Sequence, residues 1–425
     1  MRNRARHSLL LSIAIVMTMG LVACSGGGEA DGGQQAAAEP STEEQAMHTV
    51  TIVAEVPEDA PTTYVAGNLP ALGPWHPAAL EMKGTGARRT ATVSVPHGYR
   101  LEYKITAGSW EREGLGPSGT VMPAFTAAVD KDMEVTAQVA GFRQDPRVFI
   151  ADWQGADIEG ELVYWLDVES ENLAEPRHVV TWLPPGYDAS SDRTYKVIYM
   201  HDGQNLFDPR ISYTNVDWGV DEAMMRGVKA GDYEPAIIVG VWNTTARLRE
   251  YSPWDEAASY AKFLLTELMP KVNEEFNVAQ GRENTFVMGS SMGGLVSFYL
   301  VKEHPDVFSA CGCVSTHFTW SQQMLDWSLG KDPSQSDPEP FVVKDIAGGA
   351  TMPKDVRLYF DYGTEGLDAA YDGPHQAVKA WLLEQGFEEG TTLKMQQFDG
   401  ADHNETAWRA RVDQQLAWML GDGSG

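Results

Sequence analysis

Residues 285–301 read "TFVMGSSMGGLVSFYLV". The run opens β-branched and apolar, narrows through Gly-Ser-Ser-Met-Gly-Gly, and resumes as an apolar, helix-compatible segment. Strand, sharp turn and helix in that order is the setting a nucleophilic serine requires. Such a turn leaves little room two residues to either side of the serine. Ser291 has Gly289 and Gly293 at those positions, whereas Ser290 has Met288 and Met292. If the turn carries a nucleophile, it is Ser291. The alternative is that two small residues merely fill a tight turn.

The sequence around this turn has the texture of an α/β domain. From about residue 160, strand-like runs ("HVVTWLPP", "KVIYMHDG", "AIIVGVW", "FSACGCVS", "VRLYFDYG", "TLKMQQFDG") alternate with amphipathic segments ("AASYAKFLLTELMPKVNEEF", "HQAVKAWLLEQGF", "ETAWRARVDQQLAWML"). Such alternation predicts a mostly parallel sheet with helices on both faces. In an α/β-hydrolase of this kind, the base follows the nucleophile and acid in the chain. Four histidines follow Ser291: His304, His317, His375 and His403. His304 falls at a helix exit and His375 at a helix start. His403, in "QQFDGADHNETAW", stands between the last strand and the last helix, where the base belongs. His317, in "VSTHFTW", is placed to line the pocket.

An oxyanion needs preorganised amide donors. The N–H of Met292 directly follows the nucleophile, and "VIYMHDGQNLFD" offers Gln204 after a strand. The other reading of this loop is a polar turn, or a metal loop using His201, Asp202 and Asp208. No zinc-ligand spacing appears, and no metal or cofactor is expected.

With the elbow, the "DGQ" loop and "GADHNETAW" together, residues 160–422 resemble the putative esterase family. This family groups enterochelin esterases, feruloyl and acetyl-xylan esterases, and mycolyltransferases. "WGVDEAM" and "LREYSPW…YAKFLLTELMP" add to the likeness. The resemblance implies an α/β-hydrolase fold with Ser291 as nucleophile, His403 as general base, and the amides of Gln204 and Met292 as the oxyanion hole. The acid should lie in "TEGLDAAYD", after "VRLYFDYG". Asp361 falls within the strand itself. Spacing leaves Glu365 and Asp368 open, and relatives reading Gly-Thr-x-x-Leu-Asp favour Asp368. The implied activity is hydrolysis of acylated carbohydrate or plant-derived esters. A siderophore esterase is the second enzyme reading, and a glycan-binding surface protein with an inert hydrolase domain is the third.

Residues 47–141 differ in texture. Short strand-like runs ("HTVTIVAEV", "TATVSVP", "RLEYKITA", "MEVTAQVA") predict a small β-sandwich, joined to the second domain by a linker at residues 142–159. "YVAGNLPALGPWHPAALEM" and "LEYKITAGSWERE" resemble a starch-binding carbohydrate module. That resemblance places Trp75, Lys104 and Trp110 at a sugar site. The alternative is that both tryptophans pack the sandwich.

The chain of 425 residues begins with a targeting pattern. Arg2, Arg4 and Arg6 precede an apolar run over residues 9–22 that ends in "LVACSGGG". Leu-Val-Ala-Cys resembles a bacterial lipobox, with cleavage after residue 23 and lipid on Cys24. The expected location is the bacterial cell envelope, on a polar, Gly-rich tether over residues 24–46. Cleavage removes three arginines and no acid, which moves the net charge from −28 to −31. So acidic a chain is not built to bind nucleic acid or anionic lipid by charge. The two remaining cysteines, Cys311 and Cys313, alternate on one strand, where residues i and i+2 are poorly placed for a disulfide.

Overall fold

The computed structural model describes residues 46–73, 75–152, 157–331 and 333–421. The targeting leader, Cys24 and the tether up to residue 45 lie outside the described residues.

The first region is all β. Its strands are β1 (Met47–Glu55), β2 (Tyr64–Gly67), β3 (Leu80–Glu81), β4 (Arg88–Pro96), β5 (Tyr99–Thr106), β6 (Gly114–Leu115), β7 (Phe125–Val129), β8 (Met133–Gln138) and β9 (Gly141–Phe142). They form sheets ordered β4-β1-β8 and β3-β2-β5-β7, with a short β6-β9 pair. Period-two alternation makes the core: Ala91, Val93 and Val95 of β4 share it with Leu101, Tyr103 and Ile105 of β5.

The second region holds β10 (Glu161–Val168), β11 (Arg177–Leu183), β12 (Val197–His201), β13 (Ile237–Val241), β14 (Thr285–Ser290), β15 (Ala310–Val314), β16 (Arg357–Gly363) and β17 (Leu393–Phe398). The sheet order is β10-β11-β13-β12-β14-β15-β16-β17. β11 runs antiparallel to both neighbours, and β13 through β17 are mutually parallel. The central strands β12 to β15 are buried at every residue. Helices cover both faces, so alternate side chains enter two separate cores: Tyr199 and Val287 one, Met200 and Met288 the other. Cys311 and Cys313 are free thiols buried in β15. The chain leaves β12 for β13 on one side and reaches β14 on the other. That reversal opens a crevice at the carboxyl ends of β12 and β14, the usual ligand position in open α/β sheets.

Two expected helices are interrupted. Residues 257–275 run as Ala257–Phe263, a π turn Leu264–Leu268, then Met269–Glu275. Pro270 has no N–H, and its ring crowds the carbonyl four residues back, so the wider turn relieves it. The last segment breaks into Glu405–Arg409 and Val412–Leu420. At the break Arg411 turns inward and pairs with the buried Asp361 at 3.0 Å.

The two regions touch within one compact unit, Met47–Gly425. Arg143, just after β9, donates to the carbonyls of Ile211, Ser212 and Tyr213 at 2.9, 2.6 and 2.9 Å. The Trp327 indole, in helix Gln322–Ser328, donates to the Asn68 carbonyl at 3.4 Å.

Candidate active site

Ser291 sits between β14 and helix Met292–Glu303 with φ 57° and ψ −122°. A non-glycine residue holds such a conformation only when its surroundings fix it. Here the Ser291 N–H donates to the Val314 carbonyl at 2.9 Å, and its carbonyl accepts from Leu295 and His317 at 3.0 and 3.1 Å. A Cβ on Gly289 would stand 2.7 and 2.8 Å from the Gly293 carbonyl carbon and oxygen. The two glycines flanking Ser291 therefore press on each other, which is why the turn needs both. Ser290 is the last residue of the strand.

His403 lies in the loop after β17, and its Nδ1 is 2.6 Å from Asp368 Oδ1. Asp368 lies in a short 3-10 turn after β16, with its carboxylate fully enclosed. Its other oxygen accepts from the Gly363 N–H and the Ser315 hydroxyl, both at 2.6 Å. Burial pushes the Asp368 carboxyl up, but the His403 hydrogen bond and charge, with Ser315 and Gly363, hold it below the usual carboxylate range. Of the two acids that spacing left open, Asp368 is the one bonded to His403. Glu365 is exposed. Asp361 is buried in β16 against Arg411 and Gln415. Asp402 caps the backbone N–H of His403 at 2.7 Å.

The loop after β12 supplies the opposite wall. Asp202 takes φ 58° at the entry to the turn Gly203–Asn205, which contains Gln204. A Cβ on Gly203 would meet the backbone of Gly240 and Val241 at 2.4–2.7 Å, so only glycine lets this loop lie on β13. Arg247 grips the Asp202 carboxylate with two bonds of 2.7 Å, and Asn243 adds one of 2.6 Å. Met292 opens its helix, so its N–H has no intrahelical partner. His201 is buried, bonded to the Tyr260 hydroxyl at 2.9 Å, and pushed down to about 3 by burial. Asp208 is paired with Arg210 at 2.7 Å. Among the described residues, no group of three His, Cys, Asp or Glu is arranged to hold a metal ion.

Several residues here were not singled out by the sequence. The Ser315 hydroxyl accepts from the Trp408 indole and Arg411 at 3.0 and 2.8 Å, so its own proton is directed at Asp368. Trp408 also packs edge-on to the His403 ring, 5.1 Å between centroids. Tyr371 is fully buried, and its hydroxyl bonds His317 Nδ1 and interacts with Ser291. Burial, then His403 and Arg247, pushes His317 down to about 3, so this buried imidazole is neutral. The only local hint was a serine and a histidine just past a strand end, in "CVSTH".

In the first region, Trp75 and Trp110 are both half-buried. Trp75 has φ 62° and donates its N–H to the Gly67 carbonyl at 2.8 Å. Trp110 opens a 3-10 turn, Trp110–Arg112. The Lys104 ammonium is paired with the buried Glu113 and lies 5.6 Å from the centre of the Tyr213 ring.

Comparison with known proteins places this site in context. Among curated proteins, the chain is similar to "Uncharacterized protein YbbA" of Bacillus subtilis (strain 168), 24% identical over 159 residues, which are 34% of this chain and 59% of YbbA. The chain thus spans about three-fifths of that relative's length. "Uncharacterized protein YjcH" of the same organism is 24% identical over 265 residues, 59% of this chain and 94% of YjcH. Among solved structures, a ferulic acid esterase is 18% identical with a TM-score of 0.45, covering 61% of this chain and 98% of its own. The enterobactin esterase FES from Shigella flexneri is 17% identical with a TM-score of 0.46, covering 89% and 94%. The family model described as "Putative esterase" matches residues 170–419, more than half of the sequence, and the chain belongs to that esterase family of α/β hydrolases.

Proposed function

We propose that this chain is a serine esterase that cleaves carboxylic esters of acylated carbohydrates or plant-derived compounds through an acyl-serine intermediate. The observation that carries the proposal is the strained Ser291 turn at the carboxyl end of β14 beside Tyr371, whose ring lies 5.6 Å from that of His403 in the hydrogen-bonded His403–Asp368 pair. In this reading Ser291 Oγ attacks the ester carbonyl while His403 Nε2 takes its proton. Asp368 holds the Nδ1 proton and stabilises the imidazolium that forms. The N–H groups of Met292 and Gln204 receive the developing oxyanion. Collapse expels the alcohol, which leaves with the proton from His403. Water then attacks the acyl-serine by the same route, releasing the acid and restoring Ser291.

The test is turnover of p-nitrophenyl acetate together with labelling by a fluorophosphonate. Ser291→Ala should fold, lose the label and lower kcat by about 10⁴ to 10⁶, while Ser290→Ala keeps substantial activity. Loss with Ser290→Ala and retention with Ser291→Ala would transfer the role. Parallel assays on feruloylated sugar, acetylated xylan and a ferric triscatecholate ester separate the substrate classes. We also propose, from the Leu-Val-Ala-Cys box alone, that lipid on Cys24 tethers the enzyme to the cell envelope. Equal membrane partition of wild type and Cys24→Ala would refute this.

A further inference from the structure

Tyr371 touches both Ser291 and the ring of His403. It follows Asp368 by three residues and is fully buried. Its ring stands between two imidazoles, stacked on His375 at 5.7 Å and edge-on to His403 at 5.6 Å between centroids. Its backbone is fixed as well: the N–H donates to the Asp368 carbonyl at 2.9 Å, and the carbonyl accepts from His375 Nδ1 at 2.9 Å. A ring packed on both sides holds its hydroxyl in one place. There the hydroxyl meets two groups, the Ser291 side chain and His317 Nδ1. His317 is tied to the same turn, since its backbone N–H donates to the Ser291 carbonyl at 3.1 Å.

Counting protons fixes the direction of these bonds. In the proposed reaction Ser291 gives its proton to His403, so toward Tyr371 its oxygen can only accept. The Tyr371 hydroxyl has one proton to donate. Burial, then the Asp368 charge, pushes this hydroxyl well above its ordinary pKa, so the proton stays on. With that proton directed at Ser291, the Tyr371 oxygen accepts from His317, which must carry its own proton on Nδ1. His317 is neutral and has one ring proton to place there. The bonds then run from His317 Nδ1–H to the Tyr371 oxygen, and from the Tyr371 hydroxyl to Ser291 Oγ.

We propose that Tyr371 is a further catalytic residue, whose hydroxyl donates to Ser291 Oγ, holds that oxygen toward His403, and stabilises the negative charge it gathers as its proton leaves. His317 is a positioning residue that acts through Tyr371. The assignment rests on the serine-esterase reading and concerns its first step, acylation. In the second step the attacking atom is a water oxygen and Oγ is already part of the ester, so the Tyr371 hydroxyl has little charge to stabilise.

The test separates the two steps in the full chain. Acylation is read as the rate of fluorophosphonate labelling at Ser291 and as kcat/KM on p-nitrophenyl acetate. Deacylation is read as decay of the acetyl adduct by intact mass after substrate is removed. Tyr371→Phe keeps the ring against His403 and loses only the hydroxyl. A hydrogen bond to an oxygen that is gathering charge contributes about tenfold or more in rate. Both acylation readouts should therefore fall at least about tenfold, while adduct decay stays within about threefold of wild type. A merely structural role, in which His403 is loosened, slows both steps alike, and that result would overturn the assignment. So would acylation within about twofold of wild type in a folded Tyr371→Phe protein. Where Tyr371→Phe does not fold, His317 decides. Asparagine places a donor where Nδ1 stands and leucine places none, so His317→Leu should acylate at least about tenfold more slowly than His317→Asn. Equal rates in those two variants would remove the donor role. A wild-type chain that takes no label at Ser291 fails at the serine-esterase reading, and the role of Tyr371 falls with it. A wild type that labels no faster than Tyr371→Phe fails at Tyr371 alone.

Discussion

Replacing Asp368 by asparagine changes one atom and should silence the site. The structure dictates which way the new amide points. One Asp368 oxygen receives the Gly363 N–H and the Ser315 hydroxyl, both at 2.6 Å, so that position must remain an oxygen. Ser315 cannot reverse its proton, because its oxygen already accepts from Trp408 and Arg411. The asparagine NH₂ is left facing His403 Nδ1, which must then accept. Accepting at Nδ1 puts the imidazole proton on Nε2, where the proposed mechanism needs a lone pair to take the Ser291 proton. The imidazolium also loses its counter-charge. Inverting the tautomer in this way costs about 10⁴ in kcat, or about 5 kcal/mol of transition-state stabilisation. Glu365→Gln, at an exposed position, should stay within about twofold. The assay is burst-corrected kcat on p-nitrophenyl acetate, with thermal melts to show both variants folded. The sign of the pH effect also follows. The native Asp368 carboxyl is held below its unfolded value, so its contribution to stability is complete above about pH 4 and is lost as pH falls through the native pKa. The gap in stability between wild type and Asp368→Asn should therefore close in acid. A folded Asp368→Asn enzyme within tenfold of wild type, or a larger loss in Glu365→Gln, would refute this account.

Gly289→Ala should destabilise the protein by about 1–3 kcal/mol and lower kcat at least tenfold, because its methyl would meet the Gly293 backbone rather than a flexible side chain; melting and turnover check both. Arg143→Met should leave the buried Ile211 and Ser212 carbonyls unpaired, costing about 2–4 kcal/mol, and should speed amide exchange over residues 208–216. Asp221 is pushed up to about 8, first by burial and then by Glu222, so at neutral pH the fold holds a proton that the unfolded chain has released. Asp221→Asn should therefore stabilise at pH 7 by up to about 4 kcal/mol, with the gain gone by about pH 4, as read from Tm against pH.

The parts of the proposed site that depend on local chain geometry could be read from the sequence. The Gly289/Gly293 pair marked Ser291 because a tight turn excludes bulk at two known offsets. His403 was marked by its place between a strand and a helix. Spacing did not separate Glu365 from Asp368 as the partner of His403, because both lie on the same loop. What separates them is a turn that buries Asp368 and leaves Glu365 exposed. The residues that steady the site were not legible at all. Ser315, Tyr371, Trp408 and Arg411 come from four segments, and their meeting depends on packing between elements. The broken last helix has the same origin: its apolar pattern is continuous, but Arg411 breaks out to reach Asp361. Arg143 reaches across to backbone carbonyls, which carry no residue signature.

The two thiols of β15 turn the middle of the sheet into a built-in clock. Cys311 and Cys313 have no solvent exposure, and the strand that carries them lies between β14, which leads to Ser291, and β16, which leads to Asp368. Burial, with Cys311 beside it, pushes the Cys313 thiol well above its ordinary pKa, so little reactive thiolate exists in the native state. A soluble thiol reagent can label these positions only when the strand leaves the sheet. With Cys24 replaced, the labelling rate reports how often the framework between Ser291 and Asp368 comes apart, without any engineered probe. Substrate-like inhibitors that bridge the site would slow that clock, and the slowing would measure how strongly occupancy of the site braces the sheet beneath it.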